Sequence, residues 1–423
     1  MQWLKEIPSH WETKRIASLF TGKVQANTDF KYHHAFKFYY GTLVPKNEVG
    51  DIEEYRDTYV KYSVLQKDDI MINGLNLNYD FVSQRVAIAP SDGIITSAYV
   101  VARPRKNTNA QYYNYLFKTM DNMKLFHGMG TGIRLTLSFD EMKKQVVIVP
   151  PQDEQQAIVA YIEEKCQKID AYVADKEKEI ELLQELKQKS IADAVTKGLN
   201  PDAKMKDSGI SWIGEIPEHW EIRHLSQVSY EHYLSNKEVH HQNLLSLSYG
   251  RIIRKDINTT EGLLPASFDT YQIVEEGNIV MRLTDLQNDH KSLRVGLVKE
   301  EGIVTSAYVC LGVFDSMVPS YLYNVLHSYD IKKLFYSMGG GLRQNLNWQG
   351  LKKLDIPLPP LDEQQAIVAY IEEKCEKIDK LASELQSEID YLKEYKQRLI
   401  ADCVTGQVKV QNNSDNATYL KTF

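Results

Sequence analysis

Two stretches of this chain, 209 positions apart, carry residue types that read nucleic-acid base edges. Ile70-Met71-Ile72-Asn73-Gly74-Leu75-Asn76-Leu77-Asn78 aligns with Ile279-Val280-Met281-Arg282-Leu283-Thr284-Asp285-Leu286-Gln287, which Asn288 follows. The apolar start is kept, and the polar side chains change from Asn73, Asn76 and Asn78 to Arg282, Asp285 and Gln287. Asn and Gln match adenine, Arg matches guanine and Asp matches cytosine. A kept frame with altered polar residues is what two readers of two different sequences would show. A drifting surface loop is the other reading of the same residues. A second strip holds Tyr40-Gly41 with Lys46, and Tyr249-Gly250 with Arg251, Arg254 and Lys255. It is either a DNA contact or a solvated charged face. Gly130-Thr131-Gly132-Ile133-Arg134 and Gly339-Gly340-Gly341-Leu342-Arg343 each follow a helical stretch. They are either helix-ending turns or loops whose amides and arginine touch a phosphate. Arg85 and Arg294, just beyond the two reading stretches, complete the candidates for DNA contact.

Catalytic constellations are missing. There is no Walker GxxxxGK[ST], no HExxH and no GxSxG. The Pro-Pro pairs read Val-Pro-Pro-Gln and Leu-Pro-Pro-Leu, so neither forms the Asn/Asp-Pro-Pro-aromatic motif that holds a flipped adenine in amino-methyltransferases. Pro201-Asp202-Ala203-Lys204 resembles part of a nuclease metal site but lies in a linker. The adjacent pairs His33-His34 and His240-His241 have no carboxylate or cysteine partner at metal-ligand spacing and read as surface residues. Cys166, Cys310, Cys375 and Cys403 make no CxxC or Cys/His site, and so few cysteines in this length suit a reducing cytoplasm. No catalytic residue, metal or cofactor is expected on the chain. With 43% hydrophobic and 25% charged residues the sequence excludes a mainly disordered or fibrous chain, and no apolar run is long enough for a membrane span.

The elements that position these loops come in duplicate. Glu6-Ile7-Pro8-Ser9-His10-Trp11 returns as Glu215-Ile216-Pro217-Glu218-His219-Trp220, and Thr96-Ser97-Ala98-Tyr99-Val100 as Thr305-Ser306-Ala307-Tyr308-Val309. The run DEQQAIVAYIEEKC from Asp153 to Cys166 returns unchanged from Asp362 to Cys375. Every offset is 209, so the 423 residues are one large unit repeated in tandem, with a pseudo-two-fold protein as the natural outcome. The first part of each copy mixes β-branched runs such as Val146-Val147-Ile148-Val149 with one amphipathic helix, over 113–120 and around Leu322, Val325, Leu326 and Tyr329. Pro150-Pro151 then ends a strand, and Asp153 and Asp362 are the expected N-caps of two long helices, with Gln156 and Gln365 at the capping-box positions. Ile169, Val173, Ile180 and Leu183 fall on one heptad seam, as do Ile378, Leu385, Ile389 and Leu392, with Gly198 and Gly406 as stops. An apolar seam with a charged outer face needs a partner, and the other copy packed antiparallel supplies it.

The boundaries that follow are a globular domain at 1–150, a long helix at 151–199, a linker at 200–210, a second domain at 211–358, a second helix at 359–407 and a disordered tail at 408–423. Charge divides unevenly among them. Residues 1–150 hold 19 basic and 15 acidic side chains, whereas 211–358 hold 14 and 17, and both helices are acidic. The second domain is therefore expected to hold phosphates more weakly.

Glu-Ile-Pro-x-His-Trp opening a variable domain, Pro-Pro-x-Asp-Glu-Gln-Gln-Ala-Ile-Val closing it, and a long helix after it resemble the specificity subunit of type I restriction-modification systems. The resemblance covers nearly the whole chain. It implies an α+β fold with two target recognition domains separated by a pair of long antiparallel coiled-coil helices. It implies a non-catalytic subunit that reads a bipartite site in double-stranded DNA, its helices setting the spacer and docking two modification (methyltransferase) subunits. S-adenosylmethionine, ATP and Mg would sit on those modification subunits and on restriction (translocase/nuclease) subunits, in a bacterial or archaeal cytoplasm. A helical assembly scaffold, or a silent recognition cassette, is the alternative.

Overall fold

The computed structural model describes residues 6–48, 50–133, 135–238, 241–258, 267–287, 293–338 and 345–410, with the backbone of 417–419. Contacts divide the chain into two units, Met1–Lys176 with Ser387–Phe423, and Glu177–Gln386. Each unit therefore holds one α+β domain and half of each long helix.

In the first unit β1 (Phe20–Thr21), β2 (Phe36–Tyr39), β3 (Thr42–Pro45), β4 (Ile70–Ile72), β5 (Val86–Ile88) and β6 (Val100–Pro104) supply the frame. The main sheet is antiparallel in the order β1-β6-β4-β5, with Ile70 opposite Ala102 and Ile88. Strand β4 is buried on both faces, and alternation assigns its side chains to different cores. Ile70 and Ile72 join Val86 and Ala102 against Tyr112, Tyr113, Leu116 and Phe117 of helix α1 (Ala110–Asn122). Met71 joins Ala87 and Val101 against Phe36 and Leu43 of the β2-β3 hairpin.

The second unit repeats this plan. Strands β7 (Ser229–Glu231), β8 (Leu245–Ser248), β9 (Arg251–Arg254), β10 (Ile279–Met281), β11 (Val295–Leu297) and β12 (Val309–Val313) place β7-β12-β10-β11 in one antiparallel sheet. Ile279 stands opposite Leu311 and Leu297, as its counterpart Ile70 stands in the first unit.

The long helices are α2 (Gln152–Lys197) and, after α3 (Pro319–Ile331), α4 (Leu361–Val404). They start two residues earlier than Asp153 and Asp362 would set as caps, so both aspartates lie in the first turn. Pro150 and Pro359 explain the shift, because the buried carboxamides of Gln155 and Gln364 reach back to their carbonyls at 2.8 and 2.9 Å. In each unit the two helices pack together antiparallel, Lys396 meeting Asp170 in one and Lys187 meeting Asp379 in the other, both at 2.6 Å. Val173, Ile378, Leu385 and Ile389 are buried, and Ile169, Ile180, Leu183 and Leu392 are half-buried.

Each domain is completed by the end of the helix that belongs to the other repeat. Tyr112 of α1 donates to the Val404 carbonyl at 2.7 Å, and Tyr321 of α3 donates to the Val195 carbonyl at 3.1 Å. The helix ends turn at Gly406 and Gly198, both with positive φ (76° and 72°). A Cβ at Gly406 would lie 2.9 Å from Trp11, and one at Gly198 would lie 3.1 Å from Trp220. Only glycine meets both the backbone conformation and the close approach.

Two sequence expectations change here. Met205–Asp207, inside the expected linker, pairs with Glu215–Pro217. Val408–Val410, inside the expected disordered tail, forms a strand with Ala417–Tyr419, because Val408 is buried in the first unit's core. The rest of that tail lies outside the described residues.

Candidate nucleic-acid interface

The loop after β4 begins at Asn73 and returns to the sheet at Arg85, and that arginine shapes it. Its guanidinium is enclosed, with the residue 1% exposed. It donates to the carbonyls of Asn73 (3.1 Å), Leu75 (2.8 Å), Asn76 (3.5 Å) and Asp80 (2.7 Å). Asp121 of α1 accepts the Arg85 amide at 2.6 Å. Burial raises the Asp121 carboxyl above its ordinary range, against the lowering effect of that amide. Asp80 is lowered instead, chiefly by the Ser83 amide, so a charged carboxylate closes the far side of the loop.

The second unit holds the same clamp 209 residues on. Arg294 is fully buried and donates to the carbonyls of Arg282 (3.1 Å) and Thr284 (2.9 Å), while Asp330 accepts its amide at 2.5 Å. Arg85 and Arg294 were expected to touch DNA, and the structure corrects this. Buried guanidiniums whose terminal nitrogens are turned onto loop carbonyls leave no exposed cation for a phosphate. What the clamps present is the loop itself. Asn76 and Asp285 stand at equivalent positions with positive φ (51° and 57°), a conformation their short polar side chains tolerate. Asn76 and Gln287 are exposed; Asn73, Asn78, Arg282 and Asp285 are half-buried.

Beside each loop a hairpin turns through two residues, Tyr40-Gly41 between β2 and β3 and Tyr249-Gly250 between β8 and β9. The tips pack against the strand that carries the clamp. A Cβ at Gly41 would lie 2.5 Å from Gln84, and one at Gly250 would lie 3.1 Å from Leu293. The structure thus brings Tyr40 to the edge of the Asn73–Arg85 loop and Tyr249 to the edge of the loop that closes at Arg294.

The remaining cations behave unequally. Arg251 and Lys255 are exposed. Lys46 pairs with Glu48 at 3.2 Å and lies over the Tyr55 and Tyr59 rings, so it braces its own loop. Arg254 is held by the Glu300 carboxylate. Arg134, Asn288 and Arg343 lie outside the described residues. Among the described residues no cluster of His, Cys, Asp and Glu could hold a metal ion, and no helix is long and apolar enough to cross a membrane. Burial pushes the Cys310 and Cys403 thiols up to about 12, which suits core packing and not nucleophilic attack.

Residues 8–182 and 301–391 match the type I restriction modification DNA specificity domain. The chain belongs to that family. Within it, the chain is 23% identical over 431 residues to the type I restriction enzyme MjaVIII specificity subunit of Methanocaldococcus jannaschii, covering 96% of this chain and 95% of that one. The putative MjaX specificity subunit of the same organism is 24% identical over 74% of this chain and 71% of its own length. The fold matches the HsdS subunit from Thermoanaerobacter tengcongensis with a TM-score of 0.53 at 15% identity, covering 95% and 98% of the two chains. It matches a chain from a study of complex assembly in the type I R-M system with a TM-score of 0.69 at 14% identity, covering 95% and 99%. A type I specificity chain is non-catalytic and supplies DNA sequence specificity, in keeping with a site built of loops, clamps and exposed side chains.

Several residues of this specificity chain escape a reading of the sequence. Tyr79, Phe81 and Val82 are exposed on the Asn73–Arg85 loop, with Phe81 stacked on His127 at 4.7 Å. Glu154 accepts from His10 (2.7 Å) and Trp11 (2.9 Å), and Glu363 accepts from His219 (2.6 Å) and Trp220 (2.9 Å). The repeat was the signal for both carboxylate pins, since every partner recurs at 209. Nothing in the sequence marked the aromatic loop, which has no counterpart of the same type in the second copy.

Proposed function

We propose that each unit reads one half of a bipartite target in double-stranded DNA, through residues 73–78 in one and 282–288 in the other. The observation that carries this is the duplicated arginine clamp, which holds two loops alike while their polar side chains differ. A common backbone with different donors and acceptors can present two different base-edge patterns in the major groove. Exposed Arg251 and Lys255 serve phosphates, which position a protein without specifying sequence.

The paired helices, acidic on the outside, set the spacer between the half-sites and dock two modification subunits. Those subunits would carry S-adenosylmethionine and methylate adenine, and restriction subunits would add ATP- and Mg-dependent translocation and cleavage in the cytoplasm. The net charge of −7 predicts that the chain alone binds DNA weakly and with strong salt dependence until its partners add phosphate contacts.

The test is single-molecule sequencing of methylated adenines in cells holding this gene and a modification gene, against cells lacking it. A bipartite motif that disappears on deletion is the expected result. Replacing 211–358 with another such domain should change one half of that motif only; a change in both halves would overturn the two-reader assignment. A stable complex without any motif would favour an assembly scaffold or a silent cassette.

A further inference from the structure

The two hairpin tips show a feature that base reading does not account for. Tyr40 and Tyr249 are 70% and 74% exposed, with φ of 42° and 44°. A two-residue hairpin turn with positive φ at both positions favours Asn-Gly or Asp-Gly, because a Cβ-bearing aromatic is strained there. Both copies keep Tyr-Gly nonetheless, although the loops next to them differ in nearly every polar side chain. A residue that is exposed, strained and identical in both readers performs a task that is the same at both half-sites.

The surroundings hold the tips firmly. Tyr39 packs edge-on against Tyr40 at 4.8 Å, and Tyr323 of α3 donates to the Gly250 carbonyl at 3.4 Å. Gly41 and Gly250 pack on the residues that immediately precede the buried arginines. A flat aromatic ring is thus presented from a braced turn at the rim of each reading loop. The property the two tips share is an exposed aromatic ring.

We propose that Tyr40 and Tyr249 are a matched pair of base-stacking wedges, which stabilise the duplex at each half-site when the target base leaves the stack. This rests on the DNA-reading function given above. A base that is to be modified must leave the helix, at the cost of its stacking and pairing. An aromatic side chain that stacks on the exposed face of a neighbouring base lowers that cost and is indifferent to sequence. The same ring therefore suits two half-sites of different sequence.

The test uses the full chain assembled with its modification subunits and a duplex carrying the bipartite target. Tyr40→Ala should slow methylation at the first half-site by about tenfold or more, with the methylated motif unchanged. Tyr40→Phe should stay near the parent. Tyr249→Ala should act in the same way on the second half-site alone. Tyr40→Asn suits the turn better than tyrosine and should fold at least as well, yet be as slow as Tyr40→Ala. A mismatch opposite the target adenine weakens its pairing and should restore the rate of Tyr40→Ala, a rescue that a purely structural role would not give. The wedge is overturned by a changed motif, by a defect that the mismatch leaves untouched, or by a normal rate in Tyr40→Ala. If the unsubstituted complex itself methylates no bipartite motif, the DNA-reading function fails first.

Discussion

The two recognition domains are the same molecule in their buried parts and different molecules at their loops. The Arg85 and Arg294 clamps, the Glu154 and Glu363 pins, and the Tyr112 and Tyr321 hydroxyl bonds recur with nearly the same distances. In the loops, Asn73, Asn76 and Asn78 align with Arg282, Asp285 and Gln287. One further difference is internal: Lys118 of α1 and His327 of α3 occupy equivalent positions beside the helix pair. Burial lowers both, with Lys396 acting on Lys118 and Lys187 acting on His327. Parts that recur hold the loops in place, and under the proposed function the parts that differ select the target.

The largest break in that symmetry should come from the clamps. Arg85→Met removes the donors that satisfy four loop carbonyls and should cost the first unit about 4 kcal/mol. Methylation should lose the first half of its motif, and Arg294→Met should lose the second. A chemical melt with domain-resolved probes and the methylated motif together read this; loss of both halves from one substitution would break the independence of the two units.

Acid should separate the units next. The His327 imidazole sits at about 4 in the folded chain, below its ordinary 6.5. Between those values the unfolded chain binds the extra proton, so stability is complete above about 6.5 and falls as the pH drops towards 4. We expect a loss of about 3 kcal/mol in the second unit by pH 4, absent in His327→Gln. The first unit, with Lys118 at that position, should lack this acid transition.

A substitution in the recurring parts should instead be symmetric. Trp11→Phe and Trp220→Phe each delete one indole bond to a carboxylate and should cost about 1.5 kcal/mol apiece. Unequal losses would show that the two pins are not equivalent. The smallest effect belongs to the cross-helix pairs: Lys187→Met and Lys396→Met should each change stability by less than about 1 kcal/mol, since Asp379 and Asp170 are more than half exposed.

Much of this was legible because the sequence repeats itself. A motif seen twice at one offset identified the frame, and the heptad positions placed Val173, Ile378, Leu385 and Ile389 on the buried seam. Positions whose meaning depends on closure were not legible. Arg85 looks like a phosphate ligand until four carbonyls are seen around its guanidinium. Lys46 and Arg254 look available until Glu48 and Glu300 are seen beside them. Gln155 and Gln364 bond back to the Pro150 and Pro359 carbonyls from a position that a capping-box pattern passes over. Periodicity also cannot tell which domain the end of a long helix will join.

That last feature has a consequence for how the chain is made. The second unit is contiguous in sequence, ending at Gln386. The first must wait for Leu399, Cys403 and Val404 before its core is closed. At ordinary rates of synthesis, the ribosome needs roughly 10–50 s to pass from the first half of α2 to that point. During that interval Tyr112, Leu116 and Phe117 lack their last neighbours, and the domain made first is the domain finished last. Losing a few residues from the C-terminal end of α4 would therefore unmake the N-terminal reader and spare the other.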